Sequence, residues 1–91
     1  MKTYILNFKN KETAASLHNY LALMLDLPAY YGHNLDALYD CLTSLTAASN
    51  ISIANIDENN ELHRRTLNVF KDAANANPKL HLQPPQGNWT Y

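Results

Sequence analysis

The sequence predicts a small α/β domain in which helices pack against a parallel sheet. Two observations carry this. Strand-like and helical segments alternate in the order strand, two helices, strand, helix, strand, and a helix crossing between successive strands makes those strands parallel. The second is size: 91 residues, 46% of them hydrophobic, suffice for one modest core and argue against global disorder.

Residues 3–8, TYILNF, have strand character. Thr13 is placed to cap a helix reaching about Leu25, with Ala14, Leu17, Leu21 and Met24 as its apolar stripe. Leu27-Pro28 ends the pattern, because proline cannot continue a helix and biases the residue before it away from helical geometry. The loop Ala29-Tyr30-Tyr31-Gly32-His33 leads to Asn34, a good cap for a second helix to about Leu45. Residues 46–50 form a connection, and Ile51–Ala54 alternates as a strand. Asp57 can cap a third helix with Leu62, Leu67, Phe70 and Ala74 inward, which Asn77-Pro78 terminates. Lys79–Gln83 is a last strand. The expected domain is 1–83, with 84–91 as a tail that carries Trp89 and Tyr91.

Every lysine and arginine lies within 2–11 or 64–79, whereas seven of the eight acids fall between Lys11 and Arg64. A stretch this one-sided argues against direct nucleic-acid binding, since phosphate neutralisation needs Lys and Arg. It fits a basic protein partner, or simply a solvated acidic surface. The lone Cys41 cannot form an internal disulfide. With no signal peptide or membrane span in the sequence, a cytoplasmic location is expected. His18, His63 and His81 show no ligand spacing and are expected at the surface or rim.

The second helix has two faces. Leu35, Leu38, Leu42 and Leu45 form a stripe to bury; Asp36, Tyr39, Asp40 and Thr43 form the opposite one. Asp36 is explained by the macrodipole at the helix start. Asp40 is not: it sits mid-helix, one turn from another aspartate, with no basic residue within four positions. A residue that costs local stability points to a partner. Tyr30, Tyr31 and Tyr39 add aromatic area of the kind that anchors interfaces, although Tyr31 has an equal claim as a core residue. Two other chemistries are open. The carboxylate pair suggests acid–base hydrolysis, but a convex helix face offers no pocket to raise either pKa. His33, Asp36 and Asp40 suggest a metal, but no fourth ligand is evident. Cys41 borders the apolar stripe, as an inert thiol would. Binding is the expected role, with no catalytic residue, cofactor or metal.

The run Leu27-Pro28-Ala29-Tyr30-Tyr31-Gly32-His33-Asn34-Leu35-Asp36-Ala37-Leu38-Tyr39-Asp40-Cys41-Leu42-Thr43 closely resembles the inhibitory loop and helix of the barstar family. The likeness extends back to Leu17-His18 and reappears weakly at Val69–Ala73. The resemblance implies a three-stranded parallel sheet with three to four helices. It also implies a monomeric intracellular inhibitor, of the immunity-protein kind, whose loop and helix plug a basic extracellular or toxin ribonuclease. On that resemblance the interface comprises Tyr30, Tyr31, Gly32, His33, Asn34, Leu35, Asp36, Tyr39, Asp40, Thr43 and, on the last helix, Asp72. Asp40 would replace an RNA phosphate among the enzyme's cations. This chain departs from the family in having Tyr39 for a tryptophan, His33 for a glutamate and Asp72 for a glutamate. The alternatives are an acidic module for another basic protein and a small metal-dependent hydrolase.

Overall fold

A computed structural model describes residues 2–83. Three strands, β1 (Lys2–Asn7), β2 (Ser49–Ala54) and β3 (Leu80–Leu82), form one parallel sheet in the order β1-β2-β3. Three helices connect them: α1 (Ala14–Met24) and α2 (Leu35–Thr43) between β1 and β2, and α3 (Glu61–Ala76) between β2 and β3. The register pairs Tyr4 with Ile51 and Leu6 with Ile53, and Ile51 in turn with Leu82. That sets Leu6, Ile51, Ile53 and Leu80 on one buried face, packed with Leu17, Leu21, Leu38, Leu42 and Phe70. The other face carries Thr3, Ile5, Asn7 and His81 and is open, with Ile5 65% exposed. Parallel sheets are usually covered on both sides. Here the polar residues of alternate positions make one covered face sufficient.

The expected elements form, with informative shifts. Thr13 caps α1 through a reciprocal box with Ser16. The buried stripe of α1 is Leu17, His18, Leu21 and Leu25; Ala14 and Met24 are exposed. α3 is capped by Asn60, not Asp57: the Asn60 side chain accepts from the Leu62 and His63 amides, while Asp57 Oδ1 takes the Asn59 amide in a local turn. The centre of its inward face is His63, Thr66, Phe70 and Ala73, with Leu62, Leu67 and Ala74 flanking and half-buried.

Two histidines are therefore core residues, a correction to the expectation of surface positions. His63 accepts the Asp57 amide at Nδ1 (3.0 Å) and donates from Nε2 to the Lys11 carbonyl (2.7 Å). Its ring meets Phe8 edge-on. Thr66 returns its hydroxyl to the Leu62 carbonyl, 2.6 Å away. Because these polar groups are satisfied, burying them carries no large penalty. A reading by hydrophobicity passes over them for that reason. The tail 84–91 lies outside the described residues.

The end of α2 is held from a distance. Asn77, just beyond α3 and buried, donates its side-chain amide to the carbonyls of Leu42 (3.0 Å) and Leu45 (3.1 Å). Its Oδ1 takes the Lys79 amide. One side chain thus satisfies two carbonyls at the end of α2 and leads the chain into β3.

Candidate partner-binding face

The loop joining α1 to α2 starts from a helix end of Schellman type. The Leu27 amide donates to the Ala22 carbonyl (3.0 Å) and the Asp26 amide to that of Leu23 (3.4 Å), with Asp26 left-handed at φ 51°. Leu27 then packs at the core's edge, Pro28 beside it is half-buried, and the Tyr31 amide closes a turn on the Pro28 carbonyl at 2.9 Å. Within this turn the two tyrosines part. Tyr30 is 87% exposed, whereas Tyr31 is buried with its hydroxyl on His18 Nδ1 at 2.5 Å. Tyr31 is thus the loop's anchor.

Burial pushes the Tyr31 phenol up to about 12. Burial, with a smaller contribution from charge on His33, pushes His18 down. Both partners are therefore held neutral at physiological pH. His33 stacks on the outer side, its ring centre 5.0 Å from that of Tyr31, and donates from Nδ1 to the Tyr31 carbonyl. The sharp turn is taken by His33 itself, at φ 54°, and not by Gly32. A Cβ on Gly32 would lie 3.1 Å from Asn34 Nδ2, so glycine leaves room for the cap residue. Asn34 Oδ1 accepts the Ala37 amide (2.8 Å) and its Nδ2 donates to the Gly32 carbonyl. The amide group is consumed by the fold.

α2 buries Leu38 and Leu42 and half-buries Leu35, so Leu35 belongs chiefly to the core. Asp36, Tyr39 and Asp40 lie on the exposed side, Tyr39 at 37%. Thr43 does not offer its hydroxyl outward: Oγ1 donates back to the carbonyls of Tyr39 (2.9 Å) and Asp40 (3.2 Å). The Asp40 carbonyl also receives Ser44 through its hydroxyl (2.7 Å) and its amide (3.1 Å). No ion pair or hydrogen bond engages the carboxylates of Asp36 or Asp40 among the described residues. Asp72 is exposed on α3, a separate helix, and nothing binds it to the α2 face.

The surface beside Asp40 is not convex, which corrects the sequence-based expectation. A groove of about 370 Å³ runs between the loop and α2, lined by the apolar Leu25, Leu27, Pro28 and Leu45 together with Tyr30, Asp40 and Asp26. Asp36 does not line it. Asp26 was absent from the residues singled out by sequence; the available signal was an acid placed directly after a helix, where glycine or asparagine is usual. Cys41 also borders the groove, and burial followed by the charge of Asp40 pushes its thiol up. A protonated thiol is a poor nucleophile. Among the described residues no three His, Cys, Asp or Glu side chains are grouped to hold a metal ion, so His33, Asp36 and Asp40 do not form a ligand set. No helix among them is long and apolar enough to cross a membrane.

The comparisons agree with this architecture. A Bacillus subtilis (strain 168) protein named "Putative ribonuclease inhibitor YrdF" is 49% identical over 43 residues, 47% of this chain and 47% of that relative. The match thus spans about half of the relative's length. The family model described as barstar, barnase inhibitor, matches residues 1–83. With helix-linked parallel strands and a loop–helix face of this form, the chain belongs to the barstar family.

Proposed function

We propose that this protein inhibits a basic ribonuclease of barnase type by seating the loop around Tyr30 and the outer face of α2 in the enzyme's active site. It acts as a binding protein, with no catalytic residue, cofactor or metal of its own. Asp40 stands in for a substrate phosphate among the enzyme's cationic side chains; Tyr30, Tyr39 and Asp36 surround it, and Asp72 adds a peripheral acidic contact. Tyr31, Gly32, Asn34, Leu35 and Thr43 hold this surface in shape, and His33 flanks it. The protein works as a cytoplasmic monomer, in the manner of an immunity protein that protects the cell from a toxin ribonuclease.

The observation that carries this reading is the pairing of an unneutralised mid-helix carboxylate, Asp40, with an 87% exposed tyrosine on the same groove. Both are unfavourable for an isolated fold and favourable for a hot spot. The acidic stretch between Lys11 and Arg64 supplies long-range attraction for a basic enzyme. The test is an RNA-cleavage assay with a barnase-type enzyme and with nuclease toxins encoded beside this gene. Inhibition by the native chain, lost in Asp40→Ala, is the expected result. Truncating one member of a desolvated charge set costs about 3–5 kcal/mol, or roughly a hundredfold to several thousandfold in affinity. Inhibition that Asp40→Ala leaves unchanged rejects the site. Stable binding to a basic protein with no effect on RNA cleavage identifies an acidic interaction module instead.

A further inference from the structure

The groove beside Asp40 has a second carboxylate, and its position is costly. Asp26 occupies the left-handed position that ends α1, at φ 51°, which glycine takes without strain. It also sets a negative charge at the negative end of the helix dipole. Two separate stability terms therefore oppose an aspartate there. Asp26 and Asp40 both line this groove, and no lysine or arginine is among its lining residues. The same groove is lined by the apolar Leu25, Leu27, Pro28 and Leu45. Its volume, about 370 Å³, lies at the lower end of the range for ligand pockets and suits one long side chain.

We propose that this groove receives one arginine or lysine side chain of the partner protein, the aliphatic stem lying on Leu27, Pro28 and Leu45 and the cationic head between Asp26 and Asp40. Apolar stem and charged head match the two parts of the lining, and the cation relieves the repulsion between the carboxylates. Asp26 is then a specificity-determining residue that selects a partner with a basic side chain beside its main anchor. That this partner is a ribonuclease rests on the function proposed above; the chemistry of the groove does not.

The test uses the whole folded chain. Nα-acetyl-arginine amide is titrated into ¹⁵N-labelled protein, with Nα-acetyl-norleucine amide as the uncharged control. The arginine probe is expected to give saturable shifts at the amides of Leu27, Tyr30, Ser44 and Leu45, and the norleucine probe none. Asp26→Asn weakens the arginine probe by up to about fivefold, the range for exposed ion pairs. The same substitution raises the melting temperature, since asparagine tolerates the left-handed position and removes the adverse charge. Equal shifts from both probes, or an affinity unaltered by Asp26→Asn, overturn the proposal. The two readings fail separately. A silent titration beside intact, Asp40-dependent ribonuclease inhibition removes the groove alone. Arginine-probe binding by a chain that inhibits no ribonuclease removes the proposed function alone.

Discussion

The hydroxyl of Tyr31 meets Nδ1 of His18 at 2.5 Å, joining the loop between α1 and α2 to the buried side of α1. The neighbouring Tyr30, in the same turn, is left exposed while Tyr31 is anchored.

Stability should therefore depend on pH through His18. Burial holds its folded pKa below the ordinary value of 6.5, so the unfolded chain takes up the proton first as pH falls. The stabilisation is complete above pH 6.5 and is lost as pH drops from there towards the folded pKa. At the alkaline end Tyr31 has the opposite sense: raised from 10 to about 12, its contribution is intact below pH 10 and lost between 10 and 12. Urea unfolding across pH 5–7.5 should show the first slope. Tyr31→Phe should cost about 1–3 kcal/mol by leaving the His18 nitrogen without its partner. An unchanged unfolding midpoint would contradict the assigned anchor.

Asp40 should show opposite effects on folding and binding. Replacement by alanine improves helix propensity and removes repulsion from Asp36, for a gain of about 0.5–1 kcal/mol in folding. Calorimetry should record a slightly higher melting temperature for Asp40→Ala, the variant expected to lose inhibition under the proposed function. A lower melting temperature would mean that Asp40 has a structural partner.

Cys41 offers a chemical reading of the Asp40 charge. Burial, and then that charge, raise the thiol pKa. Alkylation by iodoacetamide at pH 8 should run slower than for a free cysteine peptide, and Asp40→Asn should speed it. Equal rates in the two proteins would separate the side chains electrostatically.

Asn34 and Asn77 fix the two ends of α2. Asn34→Ala removes an N-cap and should cost about 1 kcal/mol. Asn77→Ala strands two carbonyls and one amide in a buried setting, so about 2–4 kcal/mol is expected from denaturant unfolding. If the order of these two costs were reversed, the long-range clamp would be the weaker device.

How much of this was legible in the sequence depended on whether a residue's role was local. The caps at Thr13 and Asn34, the break at Leu27-Pro28 and the exposed Asp36–Tyr39–Asp40 side follow from short-range rules, and the structure has them. His18 and His63 escaped because their burial rests on partners brought near by folding, 13 residues away for Tyr31 and 52 for the Lys11 carbonyl, and Thr66 because its hydroxyl is satisfied within its own helix by the Leu62 carbonyl. Asp57 and Asn60 both suit a cap, and the choice fell to Asn60, whose amide also reaches the Glu12 carbonyl. The groove was invisible for the same reason: its two walls meet only when the loop folds back along α2.

The clamp from Asn77 has a consequence for timing during synthesis. The face that carries Asp40 is complete by residue 45, yet the side chain that seats the end of its helix comes more than thirty residues later. A growing chain on the ribosome cannot fix α2 in place until α3 has emerged behind it. An early fragment would display the right residues on a helix free to shift, so the end of α2 is seated only once Asn77 has been made.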